Sequence, residues 1–302
     1  MGTPDIAAKC LKTLIDNKMN VVGAVSQPDR PKGRGHKLAP TAVKLAAQEA
    51  NIPVFQPEKI KSGELLPVLE ELKPDIIAVV AYGKILPKYV LDYPRYGCVN
   101  MHASLLPKLR GAAPVQWAVI NGDSETGVTT MLMDEGLDTG DILLCQKLEI
   151  GEYETSEELF LRIADIGGEL LLKTILNIDS IKPQKQPFDG ATYAPMLEKE
   201  MGHINWSEPT DKISKLICGM NSWPLAYSFY EGEVVKIIKA QKGEPANGEN
   251  GEILGFENGM GIRVKTADGS IYIKELQFAG SKRMSADDYL RGHNIKIGAV
   301  LK

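Results

Sequence analysis

Residues 74–81 read PDIIAVVA, an unbroken apolar run opened by a proline and an aspartate. A run this short without polar alternation reads as a strand buried on both faces, and such strands belong to parallel sheets covered by helices. NVVGAVSQ (20–27), IPVF (52–55) and GCVNMH (97–102) read alike. Helical patterns separate them. Thr3-Pro4 reads as cap and first helical position of a helix through Leu11, Leu14 and Ile15; a second helix covers 40–50, a third 62–72, and Pro87 starts a further turn. The alternation predicts an open α/β domain whose ligands bind beyond the carboxyl ends of the strands.

The pattern continues with a helix near 114–121, strands over 126–133 and 141–150, and a long helix over 155–178 with Leu159, Ile163, Ile166 and Leu170 on one face. SIKPQKQPFDGATYAPML (180–197) breaks the periodicity with three prolines and reads as a linker. The organisation expected is a first domain over 1–180, a linker over 181–204 and a second domain over 205–302. After a helix over 210–220 that second part is short strands, with Asn258-Gly259 and Asp268-Gly269 as hairpin turns. In its strand 270–278 the apolar positions pass from Ile271 and Ile273 to Leu276 and Phe278, a parity switch that predicts a β-bulge in a small barrel. Barrels of this size either bind oligonucleotides on one face or merely stabilise a chain; both readings stay open.

The 302 residues carry a net charge of −4, and no apolar stretch is long enough to cross a bilayer. Met1 is followed by no basic-then-apolar leader, so a cytoplasmic protein away from membranes is expected. Cys10, Cys98, Cys145 and Cys218 are scattered, which argues against disulfides and a zinc site and for core packing of all four. Residues 205–302 hold 13 Lys/Arg against 12 Asp/Glu, leaving the acid excess in the first part. Within that acidic part QPDRPKGRGHKL (27–38) is a basic loop, with Arg30, Lys32, Arg34 and Lys37 against Asp29 alone. Screening confines such a field to about 10 Å, so a local basic loop on an acidic body can still hold phosphates.

The chemistry concentrates where the strand GCVNMH ends. Asn100 and His102 are two residues apart and share a face. An amide and an imidazole side by side can bind a carbonyl oxygen as it becomes an oxyanion, one such donor being worth about 3 kcal/mol of barrier; in isolation the pair equally reads as a tie for the turn. MDEGLDTGDIL (133–143) adds Asp138 in a Gly-flanked turn between strands, where a carboxylate beside His102 would favour the imidazolium and help move a proton. Asp134, Glu135 and Asp141 compete for that role, and Asp141 is the expected turn cap. Ser104 has no G-x-S-x-G elbow around it, so direct transfer is expected and not a covalent acyl-enzyme.

The stretch NMHASLLPKLRGAAPVQWAVINGDSETGVTTMLMDEGLDTGDIL (100–143) closely resembles the 10-formyltetrahydrofolate-dependent formyltransferases, whose signature is N-x-H-x-S-L-L-P followed by a D-x-G-D-I-L-like turn. GTPDIA (2–7), QPDRPKGRGHKL and AYGKILP (81–87) narrow the resemblance to the branch acting on methionyl-tRNA, and INWSEPTDKI and NSWPLAY extend it over essentially the whole chain. The resemblance implies a Rossmann-like, mostly parallel sheet followed by an OB-like β-barrel that supports tRNA. It implies Asn100, His102 and Asp138 as the catalytic trio; Ser104, Leu105, Leu106 and Pro107 as the segment holding the folate; and Ile85 and Leu86, with the 134–138 turn, lining a pterin slot. It further implies that Arg30, Lys32, Lys37 and above all Arg34 meet the acceptor end of the tRNA. The expected reaction moves the formyl group of 10-formyltetrahydrofolate to the amino group of methionyl initiator tRNA, without metal, on a monomer.

Two departures stand out. The family begins with a short strand before G-T-P-D, where this chain opens at Met1-Gly2, so a late start and exposure of the neighbouring strands are expected. LICGMNSWP carries Cys218 where the family tends to have arginine, removing one cationic contact. A sugar-nucleotide or glycinamide-ribonucleotide formyltransferase would keep the trio without needing the basic loop. An RNA-binding scaffold would keep the barrel without the chemistry, and a dinucleotide oxidoreductase would need a G-x-G-x-x-G that is absent. His36 in the basic loop reads as solvated polarity in preference to an RNA contact, His203 and His293 have no partner legible in sequence, and Trp117, Trp206 and Trp223 read as packing residues. At least one of Met131 and Met133 is expected in the core.

Overall fold

In a computed structural model, residues 1–32, 37–187 and 189–302 are described, Lys32 and Lys37 by backbone alone. Along the chain run α1 (Asp5–Asp16), β1 (Ala24–Val25), β2 (Arg30–Lys32), β3 (Lys37–Ala39), α2 (Ala42–Glu49), β4 (Val54–Phe55), α3 (Leu66–Leu72), β5 (Ile77–Val79), α4 (Lys88–Leu91), β6 (Cys98–His102) and β7 (Arg110–Gly111). Then follow α5 (Pro114–Ile120), β8 (Glu125–Leu132), β9 (Asp141–Glu149), α6 (Ser156–Leu176), β10 (Tyr193–Ala194), α7 (Thr210–Gly219), β11 (Ala226–Tyr230), β12 (Glu233–Gly243), β13 (Ile253–Glu257), β14 (Gly261–Lys265), β15 (Ser270–Phe278), β16 (Met284–Ser285) and α8 (Ala286–Gly292). The chain forms two units, one of residues 1–112, 126–148 and 160–194, the other of 113–125, 149–159 and 195–302. The stretch 181–204 divides between them and carries β10.

In the first unit β5 pairs parallel with β6, and β1 with β4, as the unbroken apolar runs require. The sheet continues β5-β6-β8-β9, with β8 antiparallel to β6. Strands are shorter than the apolar runs that announce them: of 20–27 only Ala24–Val25 meets a partner, Val54–Phe55. Gly2 donates to the Val25 carbonyl (2.9 Å) and bridges Val80 in parallel, while Val80 donates back to Met1 (2.9 Å). Beside them a cavity of about 170 Å³ is walled by Leu11, Leu14, Val21, Ile76, Leu171 and Ile175, among others. The first helix starts one residue later than the sequence suggests. Pro4 takes the cap position, and the Thr3 hydroxyl donates to the Tyr82 carbonyl (3.1 Å) and caps nothing. Ile77, Val79, Leu86, Val90 and Cys98 form one buried cluster of this unit.

The second unit is an antiparallel sheet in the order β11-β12-β15-β14-β13, with β16 on β15. Ile217 of α7, Ile237, Ile253, Ile271, Leu276 and Phe278 share its core. The parity switch is a bulge: Ile237 faces Leu276 and Ala240 faces Ile273, with the register shifting on either side of the Lys239–Glu275 pair. Three sequence expectations need correction. Cys145 is exposed: though it shares a face with buried Leu143, β9 leaves the core after Leu144, and Cys145, Gln146 and Lys147 are all exposed. Trp223 is 52% exposed in a turn outside the sheet, whereas Trp206 is buried and donates to Ser228 Oγ (2.9 Å). His203 and His293 do have partners: His203 packs on Tyr227 and Phe229, and His293 stacks on Tyr289 with centroids 4.2 Å apart. Met131 is buried and Met133 half-buried. Among the described residues no helix is long and apolar enough to cross a membrane.

Candidate active site

Because β5 and β6 run parallel, the loops leaving both strands emerge at one edge of the sheet. At the end of β6, Asn100 stands in register with Val79 and His102 with Thr129 of β8. Asn100 is 8% exposed, and its side-chain amide has no hydrogen-bond partner among the described residues. Asn100 is not among the described residues with a fully buried, unpartnered polar atom, so its amide reaches solvent and is free to meet an outside acceptor.

His102 is held from both sides. Its Nε2 lies 2.9 Å from the Leu109 carbonyl. A carbonyl only accepts, so Nε2 carries the proton and Nδ1 is the nitrogen left for a reactant. That nitrogen faces Asp138 Oδ2 across 3.7 Å. This is beyond hydrogen-bond reach, so no direct bond joins ring and carboxylate. The competition among acids resolves by position. Asp134 closes the turn, accepting from Gly136 N (3.0 Å) and Thr139 Oγ1 (2.7 Å), while Asp141 begins β9. Asp134 thus does the work the sequence offered to Asp141. Asp138 sits in the left-handed region (φ 53°), and its Oδ2 accepts from the Gly111 amide (2.9 Å).

The segment between His102 and Leu109 is pinned to β8. Thr129 Oγ1 donates to the Ser104 carbonyl (2.7 Å) and accepts from Leu106 N (3.1 Å). The Ser104 hydroxyl donates to the Lys108 carbonyl (2.6 Å), so it closes its own turn. Leu106 is buried, and Leu105 and Pro107 are half-buried. Of the pair expected at the pterin, Ile85 is 61% exposed on the loop after β5, whereas Leu86 packs in the core. Leu137 of the 134–138 turn is also half exposed.

Within the basic loop β2 runs antiparallel to β3, with Arg30 opposite Ala39. At its base Asp29 accepts from Lys44 Nζ (2.5 Å) and Gln56 Nε2 (2.8 Å), and these contacts hold its carboxyl below the usual carboxylate range, Gln56 foremost. Arg30 is exposed. Arg34 and His36 lie outside the described residues, as do the side chains of Lys32 and Lys37.

Several residues that shape this site carry no sequence motif. Leu109 is left-handed (φ 58°), its amide donating to Thr192 Oγ1 (2.8 Å). Gly111 adopts φ 117°, and a Cβ there would lie 2.6 Å from the Ala194 carbonyl, so only glycine lets β7 lie against β10. Gln186 donates to the Asp138 and Gly140 carbonyls (2.8 Å each). The one local signal was the glycine after Leu109-Arg110. Among the described residues no group of three or more His, Cys, Asp or Glu side chains is placed to hold a metal ion.

Comparison with known proteins places the chain in a family. Residues 1–175 match the formyl transferase family, and residues 196–294 match the formyl transferase C-terminal domain. A methionyl-tRNA formyltransferase of Clostridium acetobutylicum is 49% identical, covering 100% of this chain and 98% of its own; one from Caldanaerobacter subterraneus is 46% identical over the same shares. The N-formyltransferase of Helicobacter canadensis, solved with folinic acid and dTDP-3-aminofucose, superposes with a TM-score of 0.65 at 22% identity, covering 90% of this chain and 96% of that one. At that identity the superposition speaks for the fold alone. With both halves matched in order and near half of all positions shared with full-length relatives, this chain belongs to the formyl transferase family.

Proposed function

We propose that the protein transfers the formyl group of 10-formyltetrahydrofolate to the α-amino group of methionyl initiator tRNA, and that Asn100, His102 and Asp138 carry the step. The observation that supports this most is the unpartnered amide of Asn100, 8% exposed, beside an imidazole whose Nδ1 faces a carboxylate at 3.7 Å. In this reading the amine attacks the formyl carbon, and the carbonyl oxygen gains charge that the Asn100 Nδ2–H and the Nδ1–H of protonated His102 receive. The C–N bond to N10 of the folate then breaks. The amine loses one proton and N10 gains one, so the transfer needs no net proton, and the His102–Asp138 pair is placed to relay it.

Residues 104–107, fixed to Thr129, are read as the wall against which the folate lies, with Ile85, Leu86 and the 134–138 turn at the pterin. The exposed apolar side chains of Ile85 and Leu137 suit a flat, partly apolar ring. Residues 1–180 are read as the catalytic domain and 205–302 as the tRNA-supporting domain. The basic loop carrying Arg30, with Lys32, Arg34 and Lys37, is read as reaching the acceptor end of the tRNA. The same reading places a monomeric enzyme in the cytoplasm, where initiator tRNA is charged and used. Incubation with methionyl-tRNA and 10-formyltetrahydrofolate tests it by the appearance of formylmethionyl-tRNA. Transfer to a sugar nucleotide or glycinamide ribonucleotide in its place would refute the substrate, and inert Asn100→Ala, His102→Ala and Asp138→Ala substitutions would refute the site.

A further inference from the structure

The stretch after α6 reads in sequence as linker, yet one of its side chains reaches the centre of the site. Gln186 is half-buried and uses both ends of its amide. Nε2 donates to the Asp138 and Gly140 carbonyls, 2.8 Å each. Oε1 accepts from Arg110 at both Nε (3.1 Å) and Nη2 (2.6 Å). Arg110 precedes Gly111, whose amide is the donor to Asp138 Oδ2 (2.9 Å). The turn bearing the carboxylate is therefore tied twice to the same short segment, once through the carboxylate itself and once through Gln186.

We propose that Gln186 is a positioning residue for formyl transfer: its amide fixes the 138–140 turn so that the Asp138 carboxylate stays in reach of His102 Nδ1. The proposal rests on the reading of Asn100, His102 and Asp138 as the reacting trio. Gln186 touches no substrate in it and acts only through Asp138. The demand for such a tie follows from the 3.7 Å gap. No direct hydrogen bond between ring and carboxylate sets their separation, so the backbone of the turn must set it. Asp138 takes a left-handed conformation that needs external support to persist.

Two substitutions isolate the amide. Gln186→Glu keeps an acceptor for Arg110 and replaces both donated hydrogen bonds with oxygens facing carbonyls. Gln186→Met keeps the length and removes both ends. Each should lower kcat by about 10- to 100-fold, the cost of a small misplacement of a reacting group, while KM for 10-formyltetrahydrofolate and for methionyl-tRNA stays near wild type. In 15N-histidine spectra, where His102 is one of only four histidines, the ring signals should move in both variants. In an Asp138→Asn background Gln186→Met should add little further loss, since the two act as one unit. Unchanged kcat in folded Gln186→Glu and Gln186→Met, a rise confined to KM, or full additivity with Asp138→Asn overturns the proposal. Should Gln186→Met not fold, Arg110→Met, which leaves Gln186 present but unanchored, is read by the same measures. Wild-type activity in Asp138→Asn would instead refute the trio. Loss in Asp138→Asn with none at Gln186 refutes only the positioning role.

Discussion

Replacing Asn100 with leucine separates catalysis from stability more sharply than any other change in the site. The side chain is 8% exposed on the central strand β6, and no described residue hydrogen-bonds its amide. The amide is not among the described fully buried polar atoms left without a partner, so it meets solvent, and its replacement breaks no internal hydrogen bond. With no internal hydrogen bond to lose, the folded protein should stay within about 1 kcal/mol of wild type in urea unfolding. The same amide is the proposed oxyanion donor, and losing one costs about 3 kcal/mol, or 100-fold and more in kcat. The assay is single-turnover formylation of methionyl-tRNA at saturating 10-formyltetrahydrofolate, with unfolding curves on the same preparations. A turnover within about threefold of wild type would remove Asn100 from the chemistry. A loss of several kcal/mol in stability with turnover intact would make Asn100 a structural tie, the alternative its N-x-H setting left open.

Other perturbations follow from the same contacts. Thr129→Val removes the hydroxyl that joins Ser104 and Leu106, so stability should fall by about 1–3 kcal/mol and KM for the folate should rise more than kcat falls, measured by urea unfolding and steady-state kinetics. Arg30→Ala should raise KM for tRNA, leave KM for the folate unchanged and lower the salt slope of tRNA binding by about one unit. Asp29 is held below the usual carboxylate range by Gln56 and Lys44. Its contribution is therefore complete above the ordinary carboxylate range and lost as pH falls through the lowered folded-state value. Asp29→Asn should be less stable than wild type at neutral pH, with the gap closing in acid; a gap constant with pH would refute this.

What could be seen in the sequence is what local period and residue type determine. The apolar run 74–81 announces a buried strand, and the parity of Ile271, Ile273, Leu276 and Phe278 announces a bulge. Asn100 and His102 share a face because strand geometry puts every second residue there. Strand ends were less legible, since a ladder forms only where a partner lies alongside, and 20–27 finds one at two positions alone. The choice among Asp134, Asp138 and Asp141 was open because all three suit a turn; only the approach of Gly111 to Asp138 decides it. Thr192 and Leu109 are 83 positions apart, and Gln186 and Arg110 are 76 apart. Contacts at such separation leave no periodic trace, so a segment rich in proline looked like linker.

The groups that steer the trio are largely backbone, which explains why so few side chains mark the site. The Leu109 carbonyl selects the ring nitrogen of His102, and the Gly111 amide places Asp138. Backbone groups are the same in every residue; what varies is whether the chain can be held in the conformation that aims them. A leucine in the left-handed region costs about 1–2 kcal/mol. Leu109 is 6% exposed, and burying such a side chain returns about 1.5–3 kcal/mol, to which the Thr192 hydroxyl adds a hydrogen bond. The apolar side chain thus does electrostatic work at one remove, since its packing keeps the carbonyl on Nε2 and so leaves Nδ1 as the nitrogen turned toward Asp138. A leucine that looks in sequence like ordinary core is by this route what decides which nitrogen of the imidazole stays open toward Asp138.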